Sequence, residues 1–304
     1  MAGKQNKFNT IKSSSNILFN TVMIAVSLVV IIPMLLVVII SFSSEVSISN
    51  VGFTFFPEEW SLSGYEHLAK MGDQVAQSYL ITIVQTVLGT VMSLTVMTMF
   101  AYVLAQRNFR ARKFFTYLLA FTMLFSGGMV PSYILIVRYL RMKDTIWVYL
   151  LPSLVSAYNV IILRTFIQTT IPDSLFEAAR IDGAGHFKIF LLIVLPLFKA
   201  GIATIGLFNV VGRWNDWYTA MLYIDNPKLI SLQRLLQKIQ ENMDFLKQNA
   251  AIASTPEGVQ MLRFLPTQSL KMACTIIVTV PVLLAYPFFQ RYFVSGLTIG
   301  SVKG

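Results

Sequence analysis

The sequence predicts an all-α integral membrane protein with six transmembrane helices and with both termini in the cytoplasm. Of its 304 residues, 55% are hydrophobic, and the mean hydropathy is +0.65. A soluble protein of this length does not need several apolar runs of about 20 residues, the length that spans a bilayer. The net charge of +10 comes from basic clusters beside these runs. That placement is typical of topology signals and argues against a nucleic-acid partner.

The six predicted spans form one transmembrane domain over residues 1–304. They cover residues 17–42, 79–105, 114–139, 146–167, 200–223 and 269–293. Lys4, Lys7 and Lys12 precede the first span, which is too long for the apolar region of a signal peptide, so the N-terminus is predicted to be cytoplasmic. The loop 106–113 has four basic residues and no acid, which places it inside and sets the sides of the other loops.

One span and one loop depart from the pattern of unbroken apolar spans joined by basic inner loops and less basic outer loops. The third span is interrupted by Ser126, Gly127, Gly128 and Pro131, which indicates either a cavity lining or a packed kink. The connection after it, at 138–144, is basic, yet alternation of the spans puts it outside. After the fifth span a long outer segment follows, with an amphipathic helix predicted at 230–244.

The loop 168–199 is a charged island between two apolar spans. Pro172 is suited to the start of a helix, Asp173 and Glu177 lie near its positive end, and Gly183 is suited to the left-handed turn that closes it. A second short helix is predicted to end at Pro196, which lacks a backbone donor. Its apolar stripe consists of Phe187, Phe190, Leu191 and Val194. On these residues alone, a solvated loop with a membrane-lying helix is an equal alternative.

This loop resembles the EAA loop of importer permeases of the ATP-binding-cassette superfamily. The pattern is E-A-A, three residues, G, nine residues and I-x-L-P. The resemblance assigns ATPase coupling to Glu177, Ala178, Ala179, Asp182, Gly183, Ile193, Leu195 and Pro196. It implies a type I importer permease in which the first short helix, the coupling helix, docks in a cleft of the ATPase. Many relatives have a second proline where this chain has Ala200, so we expect a smoother transition into the fifth helix.

The likeness covers most of residues 75–304 and is to carbohydrate-type permeases, specifically the smaller subunit of maltose-like and oligosaccharide importers. It is carried by the segments 151–172, 214–217, 286–293 and 300–304. It implies a multi-pass protein of the bacterial cytoplasmic membrane, in contact with membrane lipid, that transports an oligosaccharide. The implied partners are a second homologous permease, two ATPase subunits and an extracellular solute-binding protein. In maltose-type relatives the C-terminal tail reaches the ATPase dimer.

A polar cluster within the fifth span is the candidate substrate site: Arg213, Trp214, Asn215, Asp216 and Trp217. Ionisable groups inside a span indicate function by default. Arg213 and Asp216 are three residues apart and can pair on one helix face. Aromatic rings stack on the apolar face of a sugar, and amide or carboxylate groups bond its hydroxyls. The alternative is a structural ion pair within an interfacial aromatic belt. An Arg213 without a counterion would suit an acidic sugar.

The motifs of an enzyme are absent from the sequence. It has no phosphate loop of the form G-x-x-x-x-G-K-[ST] and no nucleophile–base arrangement, so ATP and Mg²⁺ are expected on the partner ATPases only. Cys274 is the single cysteine, and His67 and His186 have no neighbours at ligand spacing, so no disulfide or metal site is expected. Two alternatives remain. One is a secondary transporter or channel that works without an ATPase, and the other is an importer of amino acids, peptides or metals.

Overall fold

The computed structural model describes residues 13–248 and 268–300 as a chain of helices. One isolated antiparallel bridge, Ser43 to Trp60, is the only β pairing in that part of the chain. The helices are α1 Ser13–Ser41, α2 Glu45–Val51, α3 Ser63–Lys70, α4 Gly72–Ala105, α5 Arg112–Leu124, α6 Met129–Tyr139, α7 Trp147–Leu150, α8 Ala157–Thr170, α9 Asp173–Ile181, α10 His186–Leu197, α11 Lys199–Trp214, α12 Tyr218–Tyr223, α13 Leu232–Gln248 and α14 Gln268–Gly300. A short 3₁₀ turn, Pro227–Leu229, precedes α13.

Three of these helices are long and apolar enough to cross a membrane unbroken: α1, α4 and α14. Two bent pairs meet the same criterion if each counts as one span. They are α5 with α6, bent by 114°, and α10 with α11, bent by 80°. By length and composition, the described residues therefore provide three to five spans.

The interruption predicted in the third span is present. Helix α5 ends at Leu124, Phe125 is extended, and Gly128 has a φ of 84° in the left-handed region before α6 begins. The fourth predicted span is also broken rather than continuous, with residues 151–156 separating α7 from α8. Pro152 lies in this break, where it removes a backbone donor.

The basic connection at 138–144, which the sequence predicts to lie outside, is folded against the segment after α12. The Lys143 ammonium pairs with the Asp225 carboxylate at 2.7 Å, and this hydrogen bond raises the pKa of Lys143. The Asp144 carboxylate accepts hydrogen bonds from the amides of Asn226, at 2.8 Å, and of Asp225, at 2.6 Å, which lower the pKa of Asp144. One of the basic charges that conflict with the positive-inside rule is therefore neutralised locally.

The chain forms two compact units. Of the described residues, the first comprises 13–70, 243–248 and 268–277. In this unit the buried Glu45 accepts hydrogen bonds from the amides of Gln268 and Ser269, at 3.0 and 3.2 Å, and so caps the start of α14. Gly64 lies against the backbone of Ser269, where a Cβ atom would clash. A carboxylate and a glycine distant in sequence therefore fix the start of the last helix.

The second unit comprises residues 71–242 and those from 278 onward. Its largest apolar cluster joins α4, α8, α10 and α11 and includes Met97, Leu163, Val194 and Ile205, all at most 1% exposed. The predicted amphipathic helix appears as α13, and its residues Leu232, Leu235, Leu236 and Ile239 are buried. The loop 168–199 and the cluster around Arg213 both lie in this unit.

Candidate functional site

The first helix of the loop, α9, begins where the sequence predicts. Pro172 occupies the N-cap position with extended backbone, φ −63° and ψ 142°. Asp173 is the first helical residue, and its carboxylate forms an ion pair with Arg107 at 2.5 Å. A negative charge at this end is favourable because the helix dipole is positive there.

The same helix ends in a Schellman turn centred on Gly183. The amide of Gly183 donates to the carbonyl of Arg180 at 3.0 Å, and the amide of Ala184 donates to the carbonyl of Ala179 at 2.9 Å. Gly183 has a φ of 76°, a conformation that an L-residue adopts only with strain. The glycine of the E-A-A-x-x-x-G pattern is therefore the residue that the backbone requires at this point.

Helix α9 has one buried and one exposed face. Phe176 and Ala179 are buried in the apolar cluster, whereas Glu177 and Ala178 are exposed. Ile181, at the end of the helix, is 87% exposed, so α9 presents one large aliphatic side chain on its outward face. The side chains that the sequence assigns to coupling are thus divided: Ala179 anchors the helix, and its neighbours face outward.

The second helix of the loop differs from its prediction. Phe190 and Val194 are buried, but Phe187 and Leu191 are 63% and 41% exposed, so the predicted stripe is not a single buried face. A π-helical turn over Phe190–Val194 shifts the phase of the side chains within it, including Leu191, whereas Phe187 lies in the regular turn before it. The helix also continues to Leu197, one residue past Pro196.

The transition into α11 is a sharp turn and not the smooth continuation expected from Ala200. Helices α10 and α11 meet at 80°, and Phe198 between them has φ −105° and ψ 12°. The Phe198 side chain is 1% exposed and packs in the apolar cluster. The ring of Phe198 also lies against Gly201, where a Cβ atom would overlap it, so burial of this ring fixes the bend.

Polar contacts join the loop to the C-terminal end of α4. The Arg180 guanidinium donates to the side-chain carbonyl of Gln106 at 2.6 Å. The Tyr102 hydroxyl lies 3.3 Å from Nδ1 of His186, and the Arg107–Asp173 ion pair is a third tie. These partners were not predicted, because the sequence shows Arg107 only as part of a topology signal.

In the polar cluster, Arg213 does not pair with Asp216. Its Nη1 donates to the carbonyl of Tyr149 at 2.8 Å, and its Nη2 donates to the Ser93 hydroxyl at 2.7 Å and to the carbonyl of Ser153 at 3.0 Å. Tyr149 and Ser153 lie at the break between α7 and α8, where carbonyl groups lose their helical partners. Arg213 is 7% exposed and thus holds the broken span together.

The predicted pairing fails because α11 ends at Trp214, so Asp216 no longer lies on the same helix face. Among the described residues, no carboxylate forms an ion pair with Arg213; one Asp216 oxygen accepts instead from the amide of Thr219 at 3.0 Å. Gly89 allows the close approach of the Arg213 guanidinium, because a Cβ atom there would overlap it.

Four of the five predicted substrate residues line one cavity of about 410 Å³, and Trp214 does not. Trp214 is buried, and its indole N–H donates to the carbonyl of Val278 at 3.0 Å, so it is a packing residue. The cavity is lined by Ser153, Asn159, Phe208, Asn209, Gly212, Arg213, Asn215, Asp216, Trp217 and Tyr218. Aromatic rings and amide groups therefore converge on a space that also contains one cationic and one anionic side chain.

Sequence reasoning missed several members of this cavity. Asn209 precedes Arg213 by four residues on α11, and Asn159 is a polar residue within the fourth predicted span. Both could have been predicted as cavity residues from the sequence, because polar residues within spans are rare and usually face the protein interior. Phe208 and Tyr218 carried no such signal.

Residues 97–299 match the family of binding-protein-dependent transport system inner membrane components. The chain belongs to this family. It is therefore a transport permease, a component of the inner membrane, and not an enzyme. The EAA-type loop and the Arg213 cavity both lie within the matched residues.

Named relatives of this permease extend the likeness to nearly the whole chain. It is 37% identical to the polygalacturonan/rhamnogalacturonan transport system permease protein YtcP of Bacillus subtilis (strain 168), over 91% of this chain and 94% of that protein. It is 36% identical to protein LplC of the same organism, over 92% of this chain and 91% of that protein.

A solved structure is also similar to the permease. The crystal structure of a bacterial ABC transporter involved in the import of the acidic polysaccharide alginate matches with a TM-score of 0.77 and 29% identity. The match covers 93% of this chain and 99% of the other. The helical architecture is accordingly that of an ABC-transporter permease.

Proposed function

We propose that this permease forms half of a heterodimeric pore that imports acidic oligosaccharides, driven by ATPase subunits that dock at the loop 168–199. The observation that carries the proposal is the composition of the Arg213 cavity. Aromatic faces, amide groups and a cation without an ion-pair partner line the same 410 Å³ space. This composition, with its cation, fits a sugar that has carboxylates.

The cation of the cavity is the feature that supports an acidic cargo. Among the described residues, the Arg213 guanidinium hydrogen-bonds only neutral oxygens, and the one opposing charge that lines the cavity is the Asp216 carboxylate, which accepts from the Thr219 amide. Trp217 and Tyr218 are 39% and 44% exposed and offer ring faces for stacking. The names of YtcP and of the alginate importer refer to acidic polysaccharides, which agrees with this proposal.

The surface of α9 supports coupling to an ATPase. Glu177, Ala178 and Asp182 are exposed beside the apolar side chain of Ile181, and the Schellman turn holds this face in a fixed orientation. An apolar residue ringed by polar ones is typical of a docking surface. The ATPase subunits would bind ATP and Mg²⁺, whereas this chain would bind neither.

The topology that accompanies this function has six spans, with both termini in the cytoplasm, in a single permease domain. Helices α1, α4 and α14 are three spans, α5 with α6 is another, α7 with α8 is one more, broken at Pro152, and α11 with α12 is the sixth, so that α10 stays in the loop 168–199. A second permease subunit completes the pore, and an extracellular binding protein delivers the sugar. The tail 301–304, assigned a contact with the ATPase dimer, lies outside the described residues.

The acidic-cargo proposal is tested by changing the charge of the cavity in opposite directions. Asp216→Asn keeps the oxygen that accepts from Thr219 but removes a negative charge, whereas Arg213→Gln removes the positive charge. Uptake of digalacturonate is compared with uptake of a neutral disaccharide. A change of roughly 1 kcal/mol, about fivefold, is expected in the acidic-to-neutral ratio.

Asp216→Asn should raise this ratio, and Arg213→Gln should lower it. Asp225→Asn is the matched control, because Asp225 is an exposed acid that pairs with Lys143 and does not line the cavity. If each variant changed the uptake of both sugars equally, the proposal that the cavity selects acidic sugars would be wrong.

A further inference from the structure

A second cavity, of about 620 Å³, lies where the loop 106–111 and the first turns of α5 meet α8. Five basic side chains line it, and no lining residue is acidic: Arg107, Arg110, Arg112, Lys113 and Arg164. Within the described part of the chain, Arg107 alone among them forms an ion pair, with Asp173. Four cations thus share one concave surface without a counterion from residues 13–248 or 268–300.

The positive charge of the cavity does not come from the loop alone, because Arg164 lies within α8. Arg164 lies six residues before the end of α8, about 9 Å along the helix axis. Its Nη1 donates to the hydroxyl of Thr116 on α5 at 3.4 Å, and its buried Nε has no hydrogen-bond partner in the described residues. The Nε of Arg213 also has no partner in the described residues, but the Nη atoms of Arg213 have three oxygen acceptors, whereas Arg164 has one, at 3.4 Å.

Arg112 brings a second guanidinium to the same place. Arg112 and Thr116 are one turn apart on α5, and the Thr116 hydroxyl donates to the Arg112 carbonyl at 2.8 Å. Arg112, from α5, and Arg164, from α8, both line the cavity. Like charges that share a concave surface repel each other and add to one positive potential, so a bound anion is favoured.

The surroundings indicate what kind of anion fits. Along α5, directly beyond the cationic turn, Phe114, Tyr117 and Phe121 are 64%, 72% and 55% exposed. Aromatic side chains next to a basic cluster at the end of a span are typical of the membrane interface. A ligand that uses both features has an anionic head and an apolar tail.

We infer that this cavity binds the phosphodiester group of an anionic phospholipid. Arg112 and Arg164 bond the phosphate from α5 and α8, Lys113 and Arg110 add charge at the rim, and the acyl chains lie along Tyr117 and Phe121. Basic pockets between transmembrane helices are known to hold such head groups. The bound lipid would join the start of α5 to α8, the helix that leads directly into α9.

The test is native mass spectrometry of the purified full transporter complex, titrated with phosphatidylglycerol or phosphatidylcholine. The double variant Arg112→Gln/Arg164→Gln should weaken phosphatidylglycerol binding roughly ten- to thirtyfold. The matched control is Arg138→Gln/Arg141→Gln, which removes two exposed positive charges, one in the last turn of α6 and one just after it, and should leave binding unchanged. Arg112→Gln/Lys113→Gln, which retains Arg164, should also weaken binding and covers the case in which the first variant fails to fold.

Three results would overturn the inference. Equal binding of phosphatidylcholine would show that charge is irrelevant, and equally tight binding of soluble glycerophosphoglycerol would show a site for free phosphate esters. Loss of the ATPase subunit from the variant complex, with lipid binding intact, would make this surface a protein contact.

Discussion

The loop 168–199 and the cluster around Arg213 are held in place by different forces. Beneath the loop lie apolar side chains such as Phe176 and Phe190, and its polar ties include an ion pair whose side chains are 77% and 50% exposed. Around Arg213 the ties are buried hydrogen bonds to distant segments. A surface that must move against a partner tolerates exposed ties, whereas a cavity that must keep its shape needs a buried network.

The largest effect is expected from removing the guanidinium at the cavity. Arg213→Met removes the donor that lies 2.7–3.0 Å from two backbone carbonyls and the Ser93 hydroxyl, and the two carbonyls keep only the 3.4 Å contacts from the hydroxyls of Ser153 and Ser93. Loss of such buried partners costs about 3 kcal/mol or more, so the thermal midpoint of the purified complex should fall by roughly 5–10 °C. Arg234→Met is the control, because Arg234 pairs with Glu241 at 2.9 Å near a surface and should shift the midpoint little. An unchanged midpoint in Arg213→Met would contradict the buried network.

An intermediate effect is expected at the turn that ends the coupling helix. Gly183→Ala places a Cβ atom at a φ of 76°, at a cost of about 1–2 kcal/mol, and should tilt the end of α9. We expect ATP-driven uptake to fall severalfold while the complex remains folded. Gly185→Ala is a matched control two residues away, because Gly185 has a φ of −71° and open space around it. Equal losses in both variants would show that the turn has no special role.

The smallest effect is expected from the exposed ion pair. Asp173→Asn removes the bond to Arg107, which should change stability by less than about 1 kcal/mol. If the exposed ties only guide the motion of the loop, the variant should alter the ratio of ATP hydrolysed to sugar imported without altering the thermal midpoint. A midpoint shift as large as that of Arg213→Met would remove the distinction between the two regions.

The loop 168–199 could be predicted from the sequence in more detail than the surroundings of Arg213. Pro172 and Gly183 obey local backbone rules, so the start and end of α9 could be located from a few neighbouring residues. The interruption near Gly128 was equally local. The π turn before Pro196 was not predicted, because the local apolar pattern does not distinguish a π turn from a regular helical turn.

The partners of Arg213 could not be predicted, since they depend on tertiary structure. Spacing alone placed Asp216 beside Arg213, but the end of α11 at Trp214 separates them. The actual partner Ser93 is 120 residues away in the chain, and Gly89 admits the guanidinium only once α4 and α11 are packed together. No local pattern contains that information.

The most direct test of the central claim, that the loop couples this permease to an ATPase, uses the exposed side chain at the end of α9. Ile181→Asp should remove the ATPase subunit from the gently purified complex and abolish ATP-driven uptake in liposomes. Phe56→Asp is the matched control, since Phe56 is 89% exposed in a different unit and its substitution should leave the ATPase bound. Retention of the ATPase in Ile181→Asp with normal uptake, or transport by the permease alone without ATP, would contradict the account.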